Sequence, residues 1–343
     1  MKKYKKGVII GKFYIYHLGH YELIKFGIEN CEELHVIVEE NSKYKISAEI
    51  RANWIQQDFP SAIVHTVNGE PETEDPTQWG WRTMFILRDD KRSNNPYEGP
   101  DVVFSSEDYG VPYAKSIGAE HVMIDRLRSV VPCSGRELRA DVISNFQYLS
   151  RPAKADFAKR IIIVGPDSSG KTTLAQRLAQ KHNTAWVPEY GRMYWDGKVS
   201  DLINQARLWY TSEFTHIAKM QAYAAYELSK DANKIIIEDT DTVSTELWHQ
   251  RYLGYMEPSL RYAGMNRSNP YIYVLCAPDF PFVQDGTREN EKARDKMYTE
   301  FRKILSRRNL PYTIVTGSIE ERVTKVSDLI KVMLSNVIDV DMI

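Results

Sequence analysis

Two stretches of the chain carry residue types and spacings suited to phosphate chemistry. The first is Gly11-Lys12-Phe13-Tyr14-Ile15-Tyr16-His17-Leu18-Gly19-His20, directly behind the apolar run Val8-Ile9-Ile10. Gly11 admits close backbone approach, Lys12 reaches a polyphosphate, and Phe13 belongs to the same loop. His17 and His20, neighbours at a helix start, can stabilise charge on a five-coordinate phosphorus. A reaction in which a substrate phosphate attacks the α-phosphorus of ATP and expels pyrophosphate needs such donors and no enzyme nucleophile. Histidines three apart also suit zinc, but no Cys/His partner cluster is evident in the sequence. The second stretch is Gly165-Pro166-Asp167-Ser168-Ser169-Gly170-Lys171-Thr172-Thr173, directly behind Ile161-Ile162-Ile163-Val164. Its glycines let successive backbone N–H groups turn inward around phosphate oxygens. Lys171 then neutralises the β/γ-phosphates, Thr172 holds Mg²⁺, and the helix start adds its dipole.

A phosphoryl-transfer site of this P-loop kind needs a further acid at the metal and a base for the accepting hydroxyl. The strand Lys234-Ile235-Ile236-Ile237-Glu238-Asp239-Thr240-Asp241 ends in three acids within four residues. Asp239 is expected on the metal side. Asp241, two residues on, points the same way if the chain stays extended, and is the candidate for substrate contact. Which of the two is the base stays open. Glu189, Tyr190, Gly191 and Arg192 follow the short apolar run Ala185-Trp186-Val187 and so fall at another strand end. Asp285-Gly286-Thr287-Arg288 reads equally as a mobile lid that carries Arg288 to the phosphates and as a surface loop. Trp79, Trp81, Trp209 and Tyr190 are available to stack on a flat ring, Trp81 being preferred in the first half.

The elements that must position these residues alternate. Strands are expected at Val8–Ile10, Leu34–Val38, Ala62–Val67, Asp101–Phe104 and His121–Ile124, with helices such as Gly19–Glu29 and Ala48–Phe59 between them. That pattern predicts a parallel sheet covered by helices. It breaks over 145–160, where Ser150–Asp156 is polar and contains proline. A second α/β unit then has strands at Ile161–Val164, Ile235–Ile237, Ile272–Cys276 and Thr313–Val315. Its last helix opens on a capping box, Ser318-x-x-Glu321, and carries the stripe Val323, Val326, Ile330, Met333. Domains of 1–157 and 158–343 are expected, both α/β with parallel sheets. A length of 343 residues suits two domains, and 43% hydrophobic with 27% charged residues is a soluble globular composition. A net charge of -1 speaks against a nucleic-acid partner. The three cysteines, Cys31, Cys133 and Cys276, exclude a disulfide framework and suit a cytoplasmic setting. No apolar run reaches the roughly 20 residues of a membrane helix.

The first motif resembles the nucleotidyltransferase signature G-x-F-x-P-x-H-x-G-H, with Ile15 at the proline position. That superfamily has a second signature, I-S-x-T-x-x-R. Cys133-Ser134-Gly135-Arg136-Glu137-Leu138-Arg139 matches it at Ser134 and Arg139 and departs at Arg136. An adenylyltransferase half followed by a P-loop kinase half is similar to the NadR family of nicotinamide-nucleotide adenylyltransferases and ribosylnicotinamide kinases. The likeness extends to Ser105–Tyr109, Gly118–Asp125, Glu189–Arg192, Asp239–Asp241 and Asp285–Arg288. It implies a Rossmann-like nucleotidyltransferase domain and a P-loop kinase domain. It further implies phosphorylation of nicotinamide riboside to NMN with ATP and Mg²⁺, then joining of NMN to AMP from ATP, giving NAD. On that basis Lys12, Ser134 and Arg139 hold the triphosphate, and Ser106–Tyr109 lie by the adenosine. Lys171, Thr172 and Asp239 serve ATP·Mg²⁺, Glu189 and Asp241 the nucleoside, and Arg288 the lid. Some such proteins carry an N-terminal DNA-binding domain. Here the first strand begins near residue 7, so none is expected. A homo-oligomer is the expected assembly. The alternatives are a kinase whose first domain is a nucleotide sensor, a binding protein without turnover, and a pair acting on another vitamin nucleotide.

Overall fold

The structure is a computed structural model, and it describes residues 2–68, 75–93, 98–200, 209–263, 269–282, 291–335 and 340. The chain divides into two compact units, Met1–Ala153 with the C-terminal end, and Lys154–Asn336. The first contains β1 (Tyr4–Gly11), α1 (Leu18–Asn30), β2 (Cys31–Glu40), α2 (Ala48–Asp58), β3 (Ile63–Asn68), α3 (Pro76–Asp89), β4 (Val102–Ser105), α4 (Gly110–Ile117), β5 (Glu120–Met123) and α5 (Gly135–Ala140). Its sheet has the order β3-β2-β1-β4-β5, and every pairing is parallel. Strands buried on both faces read as continuous apolar runs, and Val8, Ile9, Val36, Ile37, Val103 and Phe104 are fully buried. The strand order reverses between β1 and β4. In open sheets of this type the crevice at the carboxyl ends of those two strands is where ligands sit. The histidine loop leaves β1 at that edge, and Ser106–Tyr109 leave β4 beside it.

The stretch over the domain break is helical. It forms α6 (Arg151–Phe157), with Ala153, Ala155 and Ala158 buried, rather than an extended polar connection. Pro152 sits in the first turn, where its missing N–H has no helical partner to lose.

The second unit contains β6 (Lys159–Val164), α7 (Lys171–His182), β7 (Trp186–Val187), α8 (Tyr190–Ser200), α9 (Thr211–Ser229), β8 (Ile235–Asp239), α10 (Thr242–Leu253), α11 (Ser259–Tyr262), β9 (Tyr271–Cys276), α12 (Glu291–Arg307), β10 (Tyr312–Val315) and α13 (Ile319–Ser335). Its sheet runs β10-β9-β6-β8-β7, again all parallel. The glycine-rich loop therefore leaves the central strand, flanked by the end of β8 with its acids. The predicted capping box of α13 is present, Glu321 Oε2 accepting from Ser318 N at 2.7 Å. Its stripe covers the sheet: Val326 and Ile330 are buried, with Val323 and Met333 packed alongside.

Candidate functional site

In the first unit His17 is the N-cap of α1. Its Nδ1 accepts from Gly19 N at 3.0 Å, so the ring proton sits on Nε2. The His17 and His20 rings stack with centroids 3.8 Å apart, and Phe13 packs edge-on to His20 at 5.0 Å. Burial, with the nearby Arg128 charge, pushes His17 down to about 4. Burial, His17 and Arg128 hold His20 well below the usual histidine range. Both rings are thus neutral near pH 7, and His17 carries its N–H on Nε2 rather than a fixed positive charge.

Arg139 ties α5 to the loop, donating to Tyr14 O at 2.5 Å with its guanidinium 5.5 Å from the Tyr14 ring centroid. Ser134 caps α5, and its hydroxyl donates to Glu137 Oε2 at 2.8 Å while accepting from Glu137 N. The Lys12 ammonium stands 5.7 Å over the Tyr44 ring. Tyr109 donates to Ile10 O at 2.9 Å, which joins the β4 turn to the root of the histidine loop. Trp79 packs edge-on to Tyr109 at 5.5 Å, whereas Trp81 is 75% exposed on α3 beside exposed Phe85.

In the second unit the cradle needs its glycines. Gly165 has φ 147°, Ser168 φ 54° and Gly170 φ 79°. A Cβ on Gly165 would lie 2.8 Å from the Cys276 carbonyl oxygen, and one on Gly170 would lie 2.9 Å from the Phe280 ring. Lys171 Nζ donates to Pro166 O at 2.9 Å, and Thr172 and Thr173 open α7. Thr172 Oγ1 donates to Asp239 Oδ2 at 2.6 Å. Asp239 is 1% exposed, its Oδ1 has no hydrogen-bond partner among the described residues, and burial raises its pKa against the pull of Lys171 and Thr172. A buried, unpartnered carboxylate oxygen beside a threonine hydroxyl is a donor set for a hard divalent cation.

Asp241 goes elsewhere. Thr240 takes φ 76°, so the chain is not extended past Asp239 and the alternation fails. Asp241 caps α10 instead, accepting from Val243 N at 3.0 Å and from the Tyr273 hydroxyl at 2.5 Å. Glu189 faces the loop side. It lines a pocket with Asp167, Arg192, Thr240, Ser244 and Thr245, and burial raises its pKa while Lys171 opposes the rise. The Thr240 and Ser244 hydroxyls in that wall are buried without partners among the described residues. Arg192 lies 3.9 Å from Asp167. Tyr190 donates its N–H to Gln221 at 2.8 Å and pairs its hydroxyl with His216 at 3.0 Å. The same pocket is lined by aromatic rings: Trp195, Trp209, Phe214, Trp248 and Tyr252. Trp209 stacks on Trp195 at 5.3 Å and on Tyr252 at 5.6 Å. Arg288, with Asp285–Thr287, lies outside the described residues.

The chain is similar to known proteins over most of its length. A family model described as an AAA domain matches residues 160–322. The chain is 29% identical over 315 residues to the trifunctional NAD biosynthesis/regulator protein NadR of Escherichia coli K12, covering 87% of this chain and 75% of that protein. It is 27% identical to the Salmonella typhimurium LT2 protein of the same name, covering 96% and 83%. A crystal structure of a NadR protein in complex with NAD and AMP-PNP superposes with a TM-score of 0.69 over 96% of both chains, at 18% identity. The chain is NadR-like. A second NadR structure, in complex with NR, matches with the same TM-score over 94% of this chain.

Three residues of the NadR-like chain that matter to the loops carry no signal in the sequence. Arg51 on α2 is fully buried, donates to Lys12 O and, at 2.9 Å, to Glu39 O, and stacks over the Tyr14 and Tyr44 rings. Arg322 on α13 is fully buried, donates to Ser169 O at 2.8 Å and Gly317 O at 3.0 Å, and pairs with Asp279. Gln221 on α9 joins Tyr190 N to Thr240 O, at 2.8 and 3.4 Å. Among the described residues no helix is long and apolar enough to cross a membrane.

Proposed function

We propose that the chain is a two-site NAD salvage enzyme. Its domain of residues 158–343 phosphorylates nicotinamide riboside with ATP, and its domain of residues 1–157 joins the resulting NMN to AMP from a second ATP, releasing pyrophosphate. The observation that carries this reading is the pocket beside the P-loop. Part of its lining is acid and hydroxyl (Glu189, Thr240, Ser244), and part is stacked aromatic (Trp195, Trp209, Tyr252). Ribose hydroxyls suit the first part and a flat cationic ring suits the second. The names of the curated relatives, NAD biosynthesis/regulator proteins, agree with it.

In the kinase site the loop N–H groups and Lys171 hold the phosphates, Lys171 leaving the Pro166 carbonyl to do so. Thr172 and Asp239 fit Mg²⁺, which when bound offsets the charge of the phosphates. Glu189, raised by burial and lining the pocket beside the loop, accepts the proton of the attacking riboside hydroxyl. Arg192 and Arg288 neutralise transferring charge. In the transferase site His17 and His20 donate N–H bonds to the reacting α-phosphate, while Lys12, Ser134 and Arg139 hold the leaving pyrophosphate. Stacking on the nicotinamide ring there falls to Trp81.

Incubation of the purified chain with ATP, Mg²⁺ and either nicotinamide riboside or NMN, with products resolved by chromatography, tests both halves. Riboside passing through NMN to NAD is the expected outcome, and unchanged riboside overturns the kinase half. The Ser134 hydroxyl is engaged by Glu137, which favours one second reading, a kinase whose first domain binds nucleotide without turnover. Riboside stopping at NMN, with added NMN untouched, would establish that reading instead.

A further inference from the structure

A second cluster of chemistry-bearing side chains lies in the first unit, away from the histidine loop. His35 on β2 is fully buried and His65 on β3 is 8% exposed, and His35 Nδ1 lies 2.9 Å from His65 Nε2. Asp90 is the C-cap of α3, and its Oδ2 lies 3.5 Å from His65 Nε2. One ligand atom from each of the three residues lies within 4.8 Å of the other two. Four-coordinate zinc with bonds of about 2.0–2.1 Å sets its ligand atoms about 3.3 Å apart, between the two spacings found.

The surroundings supply what such a site needs next. His35 Nε2 lies 2.7 Å from Glu33 Oε1, the carboxylate contact that orients a metal-binding imidazole and leaves its other nitrogen as a lone-pair donor. Glu33 is itself held by the Ser93 hydroxyl at 2.7 Å and by Lys6 Nζ at 3.5 Å. The C-terminal end of α3 adds the negative end of its dipole. His35 is therefore already in the tautomer a metal requires. His65 is not. Arg92 Nη2 points at His65 Nδ1 from 3.2 Å, and Arg92 Nε donates to Asp90 Oδ1 at 3.0 Å. With the arginine there, His65 keeps its proton on Nε2 and donates a hydrogen bond to His35 Nδ1. The Arg92 side chain is 54% exposed, so it can leave for solvent and free His65 Nδ1 and Asp90 Oδ2, while the Arg92 backbone N–H keeps Asp90 Oδ1 at 2.9 Å.

We propose that His35, His65 and Asp90 form a binding site for a divalent transition metal of the zinc class, with Glu33 as the outer partner of His35 and Arg92 as the group a metal must displace. Imidazole with one carboxylate selects such an ion over Mg²⁺ or Ca²⁺. The site is separate from both phosphate loops, so its occupancy is independent of the reading proposed above.

The test is a titration of the chelator-treated full chain with Co²⁺, followed by competition with Zn²⁺. A low-coordinate nitrogen site gives an intense visible absorption, whereas an all-oxygen site such as Thr172/Asp239 stays pale. The expected result is an intense band displaced by Zn²⁺. The band is lost in His65→Gln, and Zn²⁺ affinity is about tenfold or more weaker in Asp90→Asn. Arg92→Ala, which removes the competing cation, is expected to bind Zn²⁺ several-fold tighter. A merely structural hydrogen-bond chain would not produce that gain. No intense band in the parent chain, a band that survives in His65→Gln, or unchanged or weaker binding in Arg92→Ala would each overturn the proposal. Should His65→Gln fail to fold, Asp90→Asn and Arg92→Ala decide it.

Discussion

At the scale of single residues, each unit relies on one polar group set where it has to be available. Asp239 keeps one oxygen on Thr172 and the other without a partner among the described residues. His17 spends Nδ1 on the helix cap and so presents Nε2–H. Lys171→Ala should lower the rate of riboside phosphorylation about 100-fold or more while leaving adenylyl transfer within about twofold. His20→Ala should do the reverse. Product analysis with riboside and with NMN measures both, and a folded variant that lost both activities would refute the two-site reading. Asp241 was misplaced by the alternation rule for a local reason. Threonine rarely takes a positive φ, so nothing in Asp239-Thr240-Asp241 announces the turn that sends Asp241 to Tyr273.

At the scale of elements, what could be read from the sequence is what local order encodes. Apolar runs marked the strands, and glycine, lysine and threonine at fixed spacing marked the loop between β6 and α7. Even the two-residue strand β7 was legible through Ala185-Trp186-Val187. The braces were not. Arg322 reaches a carbonyl 153 positions away and Arg51 one 39 positions away, and an arginine in a helix looks like any solvated one until the fold buries it. The aromatic wall was equally hidden, because α8, α9 and α10 each supply part of it. Arg322→Met should therefore strip donors from Ser169, Gly317 and Ala277 together. Two of these bonds, to Ser169 and Ala277, are buried; at about 1–3 kcal/mol per orphaned buried acceptor, the loss should reach at least about 2 kcal/mol. Urea unfolding followed by circular dichroism measures it, and a loss under about 1 kcal/mol would show the brace to be dispensable.

At the scale of the whole molecule, the two units follow one plan. Each has an all-parallel sheet, a loop with a candidate site leaving the central strand, and a buried arginine from a helix holding a loop carbonyl. His17 and His65 in the first and Asp241 in the second shift with opposite consequences for stability. In the first unit His17 and His65 are each held down to about 4, His65 by burial, His35 and Arg92. The unfolded chain then binds more protons than the folded one from about pH 6.5 down to about 4. Stability is full above that window and is lost as pH falls through it, by about 2 kcal/mol for each of these histidines at pH 5. In the second unit burial pushes Asp241 up to about 6. That contribution is fully present below about pH 3.8 and is lost as pH rises through about 6, so acid favours it. Lowering the pH from 7 to 5 should loosen residues 1–153 first. Limited proteolysis of the full chain at both pH values, with fragments identified by mass, checks this. Survival of the first unit and digestion of residues 154–336 at pH 5 would contradict it.

The aromatic wall has one more consequence. Trp195, Trp209 and Trp248, three of the seven tryptophans, line the same pocket, and two of them are in stacking contact. Indole emission responds to whatever lies against the ring, and an electron-poor pyridinium seated there would draw charge from it. The chain thus has its own optical gauge at the pocket beside the P-loop. Occupancy can be followed as quenching of intrinsic fluorescence, in real time and without a label or a coupled assay.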